Sequence, residues 1–132
     1  MPTYLLVALG GALGSVARFW LSGLIADRFV TGFPLNTMVI NITGSFVIML
    51  IAGLGGPDSS FLIPPLWRNF LMVGLCGGFT TFSSFSLQTL ELMRDREWLY
   101  AGLNIVGSVV LCLIGAWLGL VFAGFINHLK GH

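Results

Sequence analysis

Asp, Glu, Lys, Arg and His are missing from three long stretches of the chain: between Arg28 and Asp58, between Arg68 and Glu91, and between Glu97 and His128. Each stretch exceeds the ~20 apolar residues that cross a ~30 Å hydrocarbon core. A fourth apolar run lies ahead of Arg28 and is interrupted by Arg18. The pattern predicts four transmembrane helices over residues 4–26, 35–55, 67–93 and 98–127. The connections carry turn chemistry: Thr31-Gly32-Phe33-Pro34, Gly55-Gly56-Pro57-Asp58-Ser59-Ser60 followed by Pro64-Pro65, and Arg94-Asp95-Arg96-Glu97. Strand alternation is absent, so the reading is a helical membrane protein and not a barrel. No soluble domain is left over, and residues 1–132 read as a single transmembrane domain.

Composition agrees with that pattern. Of 132 residues, 56% are hydrophobic and only 8% charged, with a mean hydropathy of +0.95, against roughly 25% charged in soluble domains. A net charge of +1 cannot neutralise a run of phosphates, which excludes a nucleic-acid partner. The N-terminal run lacks a basic lead, so it reads as a retained helix and not a signal peptide. Four spans put Arg68 and Lys130 on one side and Arg28, Arg94 and Arg96 on the other, with Arg18 snorkelling toward them. Lys/Arg bias sets orientation, and here it is weak enough to allow insertion both ways, although a small bias can also suffice for one. Cys76 and Cys112 fall inside spans without metal-ligand spacing and read as packing residues, while His128 and His132 read as a solvated tail. There is no Ser/His/Asp set and no carboxylate pair in the spans, which argues against an enzyme.

Uncharged polar residues inside the spans are the candidates for function, because an unsatisfied amide or hydroxyl in hydrocarbon costs a few kcal/mol. Thr37, Asn41 and Ser45 repeat at i, i+4, i+8 in the second span, and Asn104, Ser108 and Cys112 do so in the fourth. Each row lies on one helix face. Either row can be interhelical glue; two rows also fit a polar path, whose uncharged O–H and N–H donors suit an anion. Eighteen glycines are about twice the usual share. Gly10-x3-Gly14 and Gly11-x3-Ser15 in the first span, Gly44 in the second and Gly107, Gly115 and Gly119 in the fourth read as close-packing positions.

The third span is a weak helix. Gly77 and Gly78 precede a run of hydroxyl, β-branched and aromatic residues, Phe79 to Ser86, and paired glycines cost about 1 kcal/mol each against alanine. A break there would free carbonyls at membrane depth, where irregular backbone must be buried or line a path. The alternative is a glycine kink healed by Ser/Thr side chains. Phe82 and Phe85 stand three apart beyond the glycines, and an electropositive ring edge can meet an anion where no charged residue does.

The segment Gly77-Gly78-Phe79-Thr80-Thr81-Phe82-Ser83-Ser84-Phe85-Ser86, with residues 36–44 and Gly14-Ser15-Val16-Ala17-Arg18 upstream, resembles the Fluc/CrcB family of fluoride channels over essentially the whole chain. The resemblance implies an all-α subunit of four membrane helices, the third broken near its middle. It also implies pairing with an identical, oppositely inserted copy in a bacterial inner membrane, giving two fluoride pores around one structural sodium ion. By motif position it assigns Phe82, Phe85 and Asn41 to fluoride contact and Thr37, Ser84 and Ser108 to the hydroxyl track. It assigns the Gly77 and Thr80 carbonyls to sodium and Arg18 to the watery vestibule. Gln88, where some relatives have glutamate, and Asn104 and Cys112, where relatives often have Tyr or His and Ser, depart from the pattern. Two rival classes are a small multidrug-type antiporter and a non-transporting membrane subunit. The antiporter needs a titratable group within the membrane, and Asp27, Asp58, Glu91, Asp95 and Glu97 all sit at loops or span ends.

Overall fold

A computed structural model describes residues 1–56 and 61–131 of the chain. The described residues form helices and no strand, in the order α1 Pro2–Arg28, α2 Leu35–Leu54, a composite third span Pro65–Arg94, and α6 Trp98–Leu129. These four units are long and apolar enough to cross a membrane. The helices begin or end up to two residues away from the predicted limits, and α6 takes His128 into its last turn. The predicted turn at Pro57-Asp58-Ser59-Ser60 and the tail residue His132 lie outside the described residues. At 1.5 Å per residue, the 32 residues of α6 run about 48 Å, so its ends reach well past the hydrocarbon or the helix tilts.

The glycines divide the helices into two close pairs. In α1, Gly10 and Gly14 are buried; a Cβ on Gly10 would meet Phe70 O at 2.7 Å, and one on Gly14 would strike Leu75 O and Phe79 N. The third span answers in kind: a Cβ on Gly74 would meet Val7 O at 2.9 Å and one on Gly78 would meet Gly11 O at 2.6 Å. On the other side, a Cβ on Gly115 would lie 3.1 Å from Ile42 O and one on Gly119 would strike Phe46 O, so α6 seats closely on α2. Backbones can approach this closely only where side chains are missing, the usual device of membrane helix pairs.

The third span is the irregular element. It starts as α3 Pro65–Asn69, passes through a π-helical stretch Phe70–Cys76, and continues as α4 Gly77–Phe79. Thr80 (φ −82°, ψ 157°) and Thr81 (φ −151°, ψ 111°) are extended, and α5 Phe82–Arg94 follows. The break is therefore at Thr80-Thr81 and not at the paired glycines: Gly77 keeps helical angles (φ −64°, ψ −36°). β-Branched residues adopt extended backbone readily, and Thr81 is a favoured N-cap type whose Oγ1 accepts from Ser84 N–H at 3.1 Å. Gly78 instead admits α1. The π turn was not anticipated from the sequence; its own backbone, at Phe70, Gly74 and Leu75, makes the contact with Gly10 and Gly14.

α5 ends in a Schellman turn: Arg96 N–H donates to Met93 O at 3.1 Å and Glu97 N–H to Leu92 O at 2.8 Å. Arg96 takes the left-handed position at φ 61°, where glycine is the usual occupant.

Candidate functional site: an uncharged cavity at the helix break

Of the two extended threonines, Thr81 is held by a side chain from another helix. Asn41 Nδ2 donates to Thr81 O at 3.0 Å, and Asn41 Oδ1 accepts from Thr81 N–H at 2.8 Å. The amide thus completes Thr81 as a neighbouring strand would, satisfying both main-chain groups at membrane depth. One Nδ2 hydrogen remains beyond these bonds. On the opposite side Arg18 Nε–H donates to Gly78 O at 3.1 Å. Its guanidinium turns inward to the break, in place of the snorkelling expected from the sequence.

These bonds determine which carbonyls stay free. In an unbroken helix Thr81 N–H would return to Gly77 O and Ser84 N–H to Thr80 O. The first goes to Asn41 Oδ1 and the second to Thr81 Oγ1. Gly78 O, which would receive Phe82 N–H, takes Arg18. The Gly77 and Thr80 carbonyls, the pair that the family resemblance assigns to sodium, are therefore released from their helical donors, and oxygen of this kind is what a hard cation takes.

Next to the break is a cavity of about 400 Å³. The second span contributes Asn41 and Ser45, the fourth Ser108 and Cys112, and the break Gly77, Thr80 and Thr81, with Phe82 and Phe85 closing it. Among the described residues, no acidic or basic side chain lines it. The Phe82 and Phe85 rings lie 5.3 Å apart at 37°, and Phe82 is 76% exposed on the single chain. Gly44 sits beneath the Thr80 γ-methyl, so the missing side chain on α2 makes room for the break.

Of the candidate residues, Asn41, Phe82, Phe85, Ser108, Gly77 and Thr80 meet at this cavity, whereas Thr37, Ser84 and Arg18 are not among its lining residues. Thr37 is buried in the first turn of α2. Ser84 belongs to the cap, accepting from Thr81 Oγ1 at 3.1 Å. In the fourth-span row Ser108 and Cys112 reach the cavity, while Asn104, 1% exposed, bridges to α5 by donating from Nδ2 to Thr89 Oγ1 at 2.8 Å. Thr81 and Thr89 escaped the sequence reading. The available signals were a Thr directly before a new helix and a hydroxyl four residues after Phe85 on the same face.

Residues 5–120 match the family profile described as CrcB-like protein, Camphor Resistance (CrcB). The chain is 61% identical over 126 residues to a fluoride-specific ion channel FluC of Rhodospirillum rubrum, covering 96% of this chain and 98% of that one. It is 58% identical over 128 residues to the protein of that name from Paramagnetospirillum magneticum, with 97% and 100% covered. With the one from Opitutus terrae the figures are 55% over 131 residues and 99% of each chain. A four-span chain whose third span breaks beside an uncharged cavity, and which matches these proteins over nearly all of its length, belongs to the CrcB family.

Proposed function

We infer that the chain is a fluoride-specific ion channel through which fluoride leaves the cytoplasm passively, lowering its concentration there. The relatives at 55–61% identity carry that name, and the observation that carries the chemistry is the cavity where two members of each polar row, the break and the phenylalanine pair converge without any charged side chain. Fluoride is small and strongly hydrated, and an unpaired ion in a low-dielectric interior costs tens of kcal/mol by Born estimates. Several donors must replace its water at once. Asn41 with its remaining N–H, the hydroxyl of Ser108 and the edges of Phe82 and Phe85 supply that set, strong enough for entry and weak enough for release. Thr37, Ser84 and Arg18 act at its margins, with Arg18 toward the watery end. No carboxylate lines the cavity, so nothing there couples flux to protons.

The working unit in this reading is a homodimer of oppositely inserted copies in the inner membrane. An exposed Phe82 and an exposed Gly77 beside free carbonyls support it, since a second copy would cover them. Two copies would offer four oxygens, from Gly77 and Thr80 of each, to one sodium ion. Its positive charge would offset the repulsion of the converging carbonyls.

Purified protein in liposomes tests the reading. Fluoride efflux should far exceed chloride efflux and need no proton gradient. Efflux no faster than chloride, or dependent on a proton gradient, overturns it. Phe82→Ile and Phe85→Ile should each slow fluoride by at least tenfold, the worth of about 1.4 kcal/mol of ring-edge contact; unchanged flux removes the rings from the mechanism.

A further inference from the structure

Two side chains that do not line the cavity connect two residues that do. Ser108 Oγ donates to Asn104 Oδ1 at 3.2 Å, Asn104 Nδ2 donates to Thr89 Oγ1 at 2.8 Å, and Thr89 Oγ1 donates to Phe85 O at 2.7 Å. All three side chains are buried, at 6%, 1% and 6% exposure for Ser108, Asn104 and Thr89.

The direction of this wire follows from its far end. Phe85 O is a carbonyl and can only accept, so the single proton of Thr89 is committed to it. Thr89 Oγ1 must then receive from Asn104, which turns the amide so that Nδ2 faces Thr89 and Oδ1 faces Ser108. An amide oxygen has no proton to give, and Ser108 must supply the last one. Its O–H is thereby aimed at Asn104 and away from the cavity, while its lone pairs are left for whatever enters. For an anion that is the wrong polarity.

We propose that Thr89 and Asn104 are positioning residues that withhold the Ser108 proton, so that fluoride must compete with Asn104 Oδ1 for it and binds at this point of the path more weakly than the bare hydroxyl would allow. The inference rests on the fluoride-path reading of the cavity. Competition with one ordinary hydrogen bond, about 1 kcal/mol net, corresponds to a roughly fivefold weakening. Such a device speeds release, because conduction needs sites that hold an ion loosely.

The test is the fluoride concentration giving half-maximal efflux from liposomes. Thr89→Val removes both the donor to Phe85 O and the acceptor for Asn104, so the amide is free to turn over and release Ser108. Asn104→Leu removes the competitor itself. Each should lower the half-saturating fluoride about fivefold, whereas Thr89→Ser, which keeps the hydroxyl, should leave it where wild type has it. Ser108→Ala should raise it far more in the Asn104→Leu background than alone, a coupling that independent sites would not give. Half-saturation unchanged in Thr89→Val and Asn104→Leu, with wild type conducting, overturns the wire and leaves the channel intact. Equal effects of Ser108→Ala in both backgrounds overturn it too. A wild type that passes no fluoride defeats the channel reading and the wire with it.

Discussion

Asn41 does two jobs with one amide. It supplies the main-chain partners that Thr81 loses when the helix breaks, and it lines the cavity with what remains. Asn41→Ala leaves an N–H and a C=O unpaired at membrane depth, each costing about 1–3 kcal/mol. The thermal midpoint in detergent should fall and fluoride efflux should be lost together. Asn41→Asp should be no better, since a carboxylate accepts from Thr81 N–H but repels Thr81 O. An Asn41→Ala protein with the wild-type midpoint would show that the clamp contributes nothing. From sequence Asn41 was visible as a polar residue on a row; its bond to Thr81 was not, because it joins residues 40 positions apart. The same holds for Arg18 on Gly78, 60 positions away. Snorkelling was the reasonable expectation for an arginine in a span, and only the break offers a buried carbonyl instead.

At the level of helices, the four spans were legible because hydrocarbon excludes charge, and the chain places its charges in loops and at span ends apart from Arg18. The break was legible as weak helix, but glycine propensity misplaced it. Gly77 and Gly78 stay helical because α1 lies against the backbone at Gly78, and the interruption falls where threonine favours extended angles. Gly14→Val should therefore separate α1 from the third span and lower stability by about 1–3 kcal/mol or more. Gly23→Val, at a position with nothing within 4 Å, should stay within about 0.5 kcal/mol. Equal melting of the two variants would refute the close-packing role. At the α5–α6 turn, Arg96→Gly relieves a left-handed residue and should raise stability by about 1 kcal/mol, read as a higher midpoint in the same detergent.

For the molecule as a whole, the single chain has an unfinished face. Phe82, one of the two phenylalanines at the cavity, is 76% exposed, and two carbonyls beside it have lost their helical donors. If a second, inverted copy completes that face around sodium, dimers should resist dissociation in Na⁺ and come apart faster when N-methylglucamine replaces it; identical dissociation in both would count against the Gly77/Thr80 site. A tag on the C-terminus should be accessible from both membrane faces, as the weak Lys/Arg bias suggests, and access from one face alone would mean a single orientation. The pairing face could not be read from residue patterns directly, because a pairing face and a lipid face are both apolar.

The two clamps on the break also have an order in time. Arg18 and Asn41 precede Gly78 and Thr81 in the chain, and synthesis runs from the N-terminus. The arginine on α1 and the asparagine on α2 are thus made before the segment they hold. When the third span emerges, Gly78 and Thr81 meet donors and an acceptor already waiting, and the polar backbone of the break need never face lipid alone. Were the same four helices encoded in the opposite order, the break would be the first irregular backbone to enter the bilayer, with nothing yet made to receive it.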